Sequence, residues 1–107
     1  MKQTPNPVFR SLADPTRRAI FERLCREGEQ TVGTLTRHAG ISQPAVSKHL
    51  RVLTEADLVS GRPQGREVYY SVRQGALDPL VHWTEQMKTV WEARIDRLEE
   101  LLNRMDQ

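Results

Sequence analysis

The chain contains 107 residues, of which 37% are hydrophobic, and a single cysteine. This length predicts one domain, and one cysteine excludes an internal disulfide framework and favours a reducing cytoplasm. The net charge of +2 is unevenly distributed: residues 1–75 hold twelve Lys and Arg against seven Asp and Glu, whereas residues 76–107 hold four against seven. A basic body favours a polyanionic partner. We expect no secretion signal, because no N-terminal apolar run resembles one, and no membrane contact, because no apolar run of about 18 residues occurs.

Two helices are predicted before residue 28. Residues 6–12 form a short first helix that carries apolar side chains. Asp14 as the N-cap and Pro15 at the first helical position indicate the start of a second helix, which should continue to about residue 26. Cys25 is expected to pack as a small core residue of this helix. A redox role would need an exposed thiol of low pKa and usually a second partner.

A helix-turn-helix unit is predicted over residues 31–53. Its second helix has two faces, because Val46, Leu50 and Leu53 fall on one apolar stripe at i, i+4 and i+7. The side chains off that stripe are hydrogen-bond donors. The DNA major groove displays acceptors for such donors to read. The predicted DNA-reading residues of this helix are Gln43, Ser47, Lys48 and Arg51.

Further DNA contacts are expected around this helix. Ser42 can cap the helix and also contact a phosphate, and His49 is expected to be half-buried with a phosphate contact as the alternative. Arg17 and Arg18 lie near the start of the second helix, where a contact to the DNA backbone and an intramolecular ion pair are equally supported.

A β-hairpin is predicted over residues 58–72. Residues 67–72 alternate apolar and polar side chains, and residues 61–66 have the composition of a turn. Arg62 and Arg66 are placed at this hairpin tip, where a narrow minor groove or a phosphate could accept them. A helix-turn-helix followed by such a hairpin is a winged helix-turn-helix.

The last segment, residues 76–104, is predicted to be one long helix of about 40 Å. Its apolar stripe is wider than a strict coiled-coil seam and is interrupted by Arg94. A helix this long exceeds what a small body can cover, so part of it should meet a second copy of the chain. The expected dimer-interface residues are Val8, Phe9, Leu80, Trp83, Met87, Trp91, Leu98 and Leu101.

Four segments in this order resemble the ArsR/SmtB family of bacterial repressors: residues 12–18 (LADPTRR), 42–53, 56–59 and 65–70 (GREVYY). The resemblance implies a mainly α fold with a small β-hairpin, built from four helices, the hairpin and a fifth helix. It also implies a homodimer joined through its first and last helices. The implied function is an autoregulating repressor that binds an operator of dyad symmetry.

The sequence departs from the metal-sensing members of that family. Residues 31–39 lack the Cys-x-Cys pair that one sensor type carries, and the last helix offers one histidine, His82, with Asp78 and Glu85 nearby. Two copies of those three residues could form an oxygen and nitrogen metal site, but each chain offers only one histidine there, and an ordinary polar surface explains them more simply. The presence of Trp83 and Trp91 on this helix instead resembles a metal-free subgroup of the family. No cofactor is therefore expected, and the inducer is not predicted.

Two alternatives remain beside the DNA-binding repressor. A metal- or redox-responsive repressor of the same family is the first. The second is a winged-helix protein-interaction module, against which the basic hairpin and the donor-rich helix argue. An enzyme is not expected, because no nucleophile with a base and no phosphate-binding loop occurs at a recognisable spacing.

Overall fold

The computed structural model describes residues 4–106 and confirms a mainly α winged helix-turn-helix fold. Its elements, in chain order, are α1 (Asn6–Ala13), α2 (Pro15–Glu27), β1 (Gln30–Thr31), α3 (Val32–Ala39), α4 (Gln43–Glu55), β2 (Val59–Gln64), β3 (Glu67–Val72) and α5 (Asp78–Met105). No helix within these residues is long and apolar enough to cross a membrane.

Three of the helices begin at side chains that cap their first turn. Asp14 Oδ1 accepts the Arg17 backbone N–H at 3.0 Å, Thr31 Oγ1 accepts the Thr34 N–H at 3.2 Å, and Ser42 Oγ accepts the Ala45 N–H at 3.3 Å. Each cap satisfies a backbone donor that has no partner inside its helix, so the cap residues set where α2, α3 and α4 begin.

The sheet has three antiparallel strands in the order β1-β3-β2, one more than the sequence predicts. The additional strand β1 has two residues, which pair with Tyr69 and Tyr70 of β3. A strand this short carries no alternation of side chains, so its sequence has no strand signal. It joins the hairpin to the segment between α2 and α3.

The hairpin is tighter than the composition of residues 61–66 suggests. β2 and β3 pair continuously from Val59 and Val72 to Gln64 and Glu67, which leaves a turn of only two residues, Gly65 and Arg66. Gly65 has a φ of +63°, a conformation that glycine adopts without steric cost. The wing is therefore a regular two-stranded ribbon with a short tip.

One apolar core lies between the helices and the base of the hairpin. Its fully buried members come from α2, α3, α4, the connection from α4 to β2 and the start of β2, and they are Leu24, Leu35, Val46, Leu50, Leu53, Leu58 and Val59. Val8 of α1 also belongs to this core at 3% exposure, so its predicted place at a dimer interface was wrong. Val8 and Ser11 occupy the inner face of α1, and Phe9 lies on the outer face.

The prediction that Cys25 is a core residue was also wrong, because Cys25 is exposed. It follows the buried Leu24 by one residue, which places it about 100° farther around α2. The core is filled from the neighbouring face by Ile20 and Leu24.

Helix α5 leaves the body after its first turns. Leu77 and Leu80 pack against the core, but no residue of α5 is buried. The described chain is accordingly elongated, with principal extents of 74 × 32 × 20 Å. An amphipathic helix of 28 residues thus presents most of its apolar stripe to solvent.

Candidate nucleic-acid interface

The two faces of α4 differ sharply in exposure. Val46, Leu50 and Leu53 are 0% exposed and fix the helix to the core. Gln43, Ser47, Lys48 and Arg51 lie off this buried stripe and are all exposed, as are Pro44, Thr54 and Glu55. The structure therefore brings together on one surface all four residues of α4 that were predicted to read DNA. Buried anchoring of the inner face leaves the outer donors free to meet a ligand.

The start of α4 adds a further donor surface. Ser42 is exposed, and its Oγ accepts the Ala45 N–H, which leaves the hydroxyl hydrogen free to donate. Unpaired backbone N–H groups in the first turn of a helix favour an anion there. A phosphate contact at this end of α4 fits the geometry.

His49 is half-buried, as expected, and is held from α2 by Arg17. Arg17 Nη1 lies 3.4 Å from His49 Nδ1. An arginine can only donate, so this contact requires Nδ1 to be the nitrogen without a proton. The same guanidinium donates through Nε to the Ser11 carbonyl oxygen at 2.7 Å and through Nη2 to the Arg10 carbonyl oxygen at 3.3 Å. Arg17 therefore connects α1, α2 and α4.

Within residues 4–106, Arg17 and Arg18 do not form the predicted ion pair with a carboxylate, and their contact with the DNA backbone stays a prediction. Arg18 Nη1 donates to the Leu12 carbonyl oxygen at 2.8 Å, so both side chains bind the carbonyl end of α1 rather than a carboxylate. Cations at that end interact favourably with the negative pole of the helix dipole. Beside them, the Arg17 backbone N–H holds the pKa of the Asp14 carboxyl below its ordinary value.

Arg62 lies inside β2, opposite Tyr69, and the predicted position at the hairpin tip was wrong. Its Nη2 donates to Glu29 Oε1 at 2.7 Å and its Nε to Glu29 Oε2 at 3.4 Å. Its Nη1 donates to the Gln64 side-chain oxygen, and the Tyr69 ring centroid is 5.0 Å from the guanidinium carbon. Hydrogen bonds from Arg62 hold the pKa of Glu29 below its ordinary value.

Arg66 occupies the predicted tip position and is exposed at the two-residue turn. Within residues 4–106, no carboxylate oxygen lies within 4 Å of Lys48, Arg51 or Arg66. These three cations are therefore available to phosphates or base edges without first losing an intramolecular partner.

The apolar stripe of α5 begins beside α1. Phe9 and Trp83 meet edge to face, with ring centroids 5.1 Å apart and an interplanar angle of 86°. Leu80 is partly buried against the core. The other expected interface residues of α5 are 39–60% exposed, namely Trp83, Met87, Trp91, Leu98 and Leu101. Arg94 is also exposed.

The candidate metal and redox residues show no built site. Among residues 4–106 of one chain, no three His, Cys, Asp or Glu side chains are grouped so that they could hold a metal ion. Asp78, His82 and Glu85 are each exposed on α5. Partial desolvation raises the pKa of the Cys25 thiol, and the Glu22 carboxylate adds to the effect, which disfavours the reactive thiolate.

Sequence reasoning missed Glu29, which joins the wing to the body through Arg62. The two residues are 33 positions apart, and neither has a local pattern that indicates a partner. It also missed the carbonyl acceptors of Arg17 and Arg18. The signal for these was the carbonyl end of the predicted first helix, which lies immediately before both arginines.

A family model described as a helix-turn-helix domain matches residues 12–62. The chain is 37% identical over 78 residues to the transcriptional repressor SdpR of Bacillus subtilis, across 73% of this chain and 86% of that protein. It is 52% identical over 68 residues to the HTH-type transcriptional regulator Rv2034 of Mycobacterium tuberculosis, across 63% of each chain. That match spans less than two thirds of the relative's length.

Solved structures share the fold over most of the chain. The crystal structure of the ArsR family transcriptional regulator RHA00566 superposes with a TM-score of 0.76 at 32% identity, across 86% of this chain and 97% of the other. An ArsR-like transcriptional regulator from Rhodococcus sp. RHA1 gives a TM-score of 0.77 at 28% identity, across 90% of each chain.

Proposed function

Because this chain belongs to the ArsR family of winged helix-turn-helix transcriptional regulators, we propose that it is a homodimeric repressor that binds an operator of dyad symmetry. We further propose that this operator lies in its own promoter, so that the protein regulates its own synthesis. The repressor named SdpR, of which the chain covers 86%, supports the repressing role.

The exposed donor face of α4 is the observation that carries the proposal. Gln43, Ser47, Lys48 and Arg51 project from a helix whose opposite face is fully buried. Lys and Arg recognise guanine in the major groove through its O6 and N7 atoms, and Gln recognises adenine. Within this proposal, Ser42 and the flanking cation Arg66 contact phosphates or the minor groove.

The exposed apolar stripe of α5 supports the homodimer. Trp91, Leu98 and Leu101 are at least half exposed, although they lie on a helix that is apolar along one side. An exposed apolar face of this kind marks an interaction surface, although Arg94 interrupts it. Two copies related by a twofold axis would cover both stripes and would place two α4 helices on successive major grooves, about 34–36 Å apart.

A metal-responsive repressor is the second candidate, and a specific observation limits how it could work. No metal-binding group of three His, Cys, Asp or Glu side chains is present in the described part of one chain. A metal would therefore need ligands from two protomers, with Asp78, His82 and Glu85 as the candidates. We propose instead that DNA release does not depend on metal.

Protection mapping on the DNA upstream of the protein's own gene tests both candidates. The proposal predicts two protected half-sites one helical turn apart, unchanged by divalent metal ions. Protection that disappears on adding Zn²⁺ would support the metal-responsive alternative. The absence of protection at low ionic strength, where nonspecific attraction is strongest, would favour an interaction module that does not bind DNA.

A further inference from the structure

The outer part of the wing extends beyond the strand that supports it. β1 pairs with β3 only at Tyr69 and Tyr70, so residues 63–68 form a two-stranded ribbon with no third strand. Isolated two-stranded ribbons are marginally stable in water. Arg62 faces Tyr69 at the inner end of this ribbon, the last position at which β1 still contributes a partner.

Each of the three guanidinium nitrogens of Arg62 donates a hydrogen bond at that position. Two of its nitrogens donate to the Glu29 carboxylate, at 2.7 and 3.4 Å, and the third donates to Gln64. The Tyr69 ring lies against the guanidinium carbon. A forked contact of this type fixes direction as well as distance. Arg66, by contrast, is exposed at the tip and has no carboxylate partner among residues 4–106.

We propose that Arg62 is a positioning residue that, through Glu29, sets where the wing places Arg66 on DNA. This inference rests on the proposed DNA-binding function. It assigns a supporting role in DNA binding to Glu29, an acidic residue that is negatively charged and would otherwise only repel the phosphates. Arg62 then acts through its partner and not by touching the DNA.

The two roles of Arg62 predict opposite effects when Glu29 is removed. If Arg62 contacted phosphate directly, Glu29→Ala would release it and remove a repulsive charge, so that DNA would bind more tightly. If Arg62 positions the wing, Glu29→Ala frees the ribbon and weakens binding. Because both side chains are partly exposed, we expect a modest loss of about three- to fivefold.

Glu67→Gln is the control, since it removes a negative charge from the same hairpin and keeps an oxygen acceptor for the hydrogen bond that the Tyr69 hydroxyl donates to Glu67. Fluorescence anisotropy with upstream promoter DNA should show weaker binding for Glu29→Ala and equal or tighter binding for Glu67→Gln. Each variant's thermal midpoint is measured, and the assay is run well below it. Tighter binding by Glu29→Ala than by wild type would overturn the proposal.

The salt dependence of binding separates positioning from contact. Each phosphate contact contributes about 0.9 to the slope of log K against log salt. Because the proposed dimer carries two copies of each residue, we expect Arg66→Gln to lower that slope by about 1.8 per dimer. Arg62→Met should weaken binding with the slope unchanged, because Arg66 still reaches its phosphate once the freed ribbon is ordered on the DNA. Arg62→Lys should not restore affinity, because lysine lacks the fork that binds Glu29. The Arg62→Met and Glu29→Ala losses should not add in the double variant.

A slope reduced by about 1.8 per dimer in Arg62→Met, or wild-type affinity in Arg62→Lys, would assign Arg62 to direct contact and refute the inference. Failure of the wild-type protein to bind any promoter DNA at low salt would instead refute the proposed function. The two failures are therefore distinguished by the wild-type measurement alone.

Discussion

Phe9 of α1 and Trp83 of α5 meet edge to face, with ring centroids 5.1 Å apart. Aromatic pairs in this geometry are favourable beyond the area they bury. The contact ties the first turns of α5 to α1, so the direction of the projecting helix is set by the body. The remaining apolar stripe of α5 thus has a defined orientation in which to meet a second copy.

A charge placed on that stripe should prevent dimer formation. Leu98 is 51% exposed on the apolar side of α5, and Asp96 lies two residues away on the opposite, polar side. Leu98→Arg would bury an unpaired charge in the proposed interface, so we expect the dimer dissociation constant to rise at least about tenfold. Asp96→Arg is the matched control, and its dimer dissociation constant should stay within about threefold of the wild-type value. Sedimentation equilibrium measures both, and equal values for the two variants would rule out this face as the interface.

Substitution by alanine should change the stability of the protein in opposite directions at Gly33 and Gly61. A Cβ on Gly61 would lie 3.0 Å from Tyr70 Cε1 and 3.1 Å from Val68 Cγ1, whereas one on Gly33 has its nearest neighbour at 3.9 Å. Gly33 is inside α3, so Gly33→Ala should stabilise the protein by about 0.5–1 kcal/mol. Gly61→Ala should destabilise it, since the Tyr70 ring must move. Urea unfolding compares them; a stabilising Gly61→Ala would show that the ring does not restrict this position.

The end of α4 depends on a left-handed residue. Asp57 has a φ of +60°, and the backbone N–H groups of Asp57 and Leu58 donate to Thr54 and Leu53. This is the Schellman arrangement, in which glycine is usual. Asp57→Ala should destabilise the protein by about 1 kcal/mol, whereas Asp57→Gly should be neutral or stabilising, despite losing the ion pair with Arg73. Equal stabilities for the two variants would contradict a conformational cost.

Acid should weaken the fold through Asp14 and Glu29. Hydrogen bonds from the Arg17 N–H and from Arg62 lower the pKa of these two carboxyls, respectively, in the folded chain. The folded state therefore binds fewer protons than the unfolded state near the ordinary values of about 3.9 and 4.3. Their stabilising contribution is complete above that range and is lost as the pH falls through the lowered values.

Urea unfolding between pH 7 and pH 3 measures this dependence. Glu29→Gln should reduce the loss of stability on acidification, because the residue no longer titrates. Glu85→Gln, at an exposed position on α5 without an ion-pair partner among residues 4–106, provides the comparison. A Glu29→Gln profile parallel to that of wild type would remove Glu29 from the explanation.

Local signals predicted much of this molecule. Asp14 with Pro15 marked the start of α2, and the spacing of Val46 and Leu50 marked the inner face of α4, because caps and helical periodicity act over a few residues. The pair Glu29 and Arg62 depends on how the hairpin folds back onto β1, which no short segment encodes. The sequence therefore predicts the exposed surface of α4 but not the ion pair between Arg62 and Glu29 that holds the wing.

Operator recognition by the exposed face of α4 can be measured directly. Fluorescence anisotropy with the upstream promoter fragment should compare wild type with the double variant Lys48→Ala and Arg51→Ala, and with Arg26→Ala as an exposed cation on α2. We expect the double variant to lose at least about tenfold in affinity while Arg26→Ala stays near wild type. Wild-type affinity in the double variant would show that this face of α4 does not read the operator.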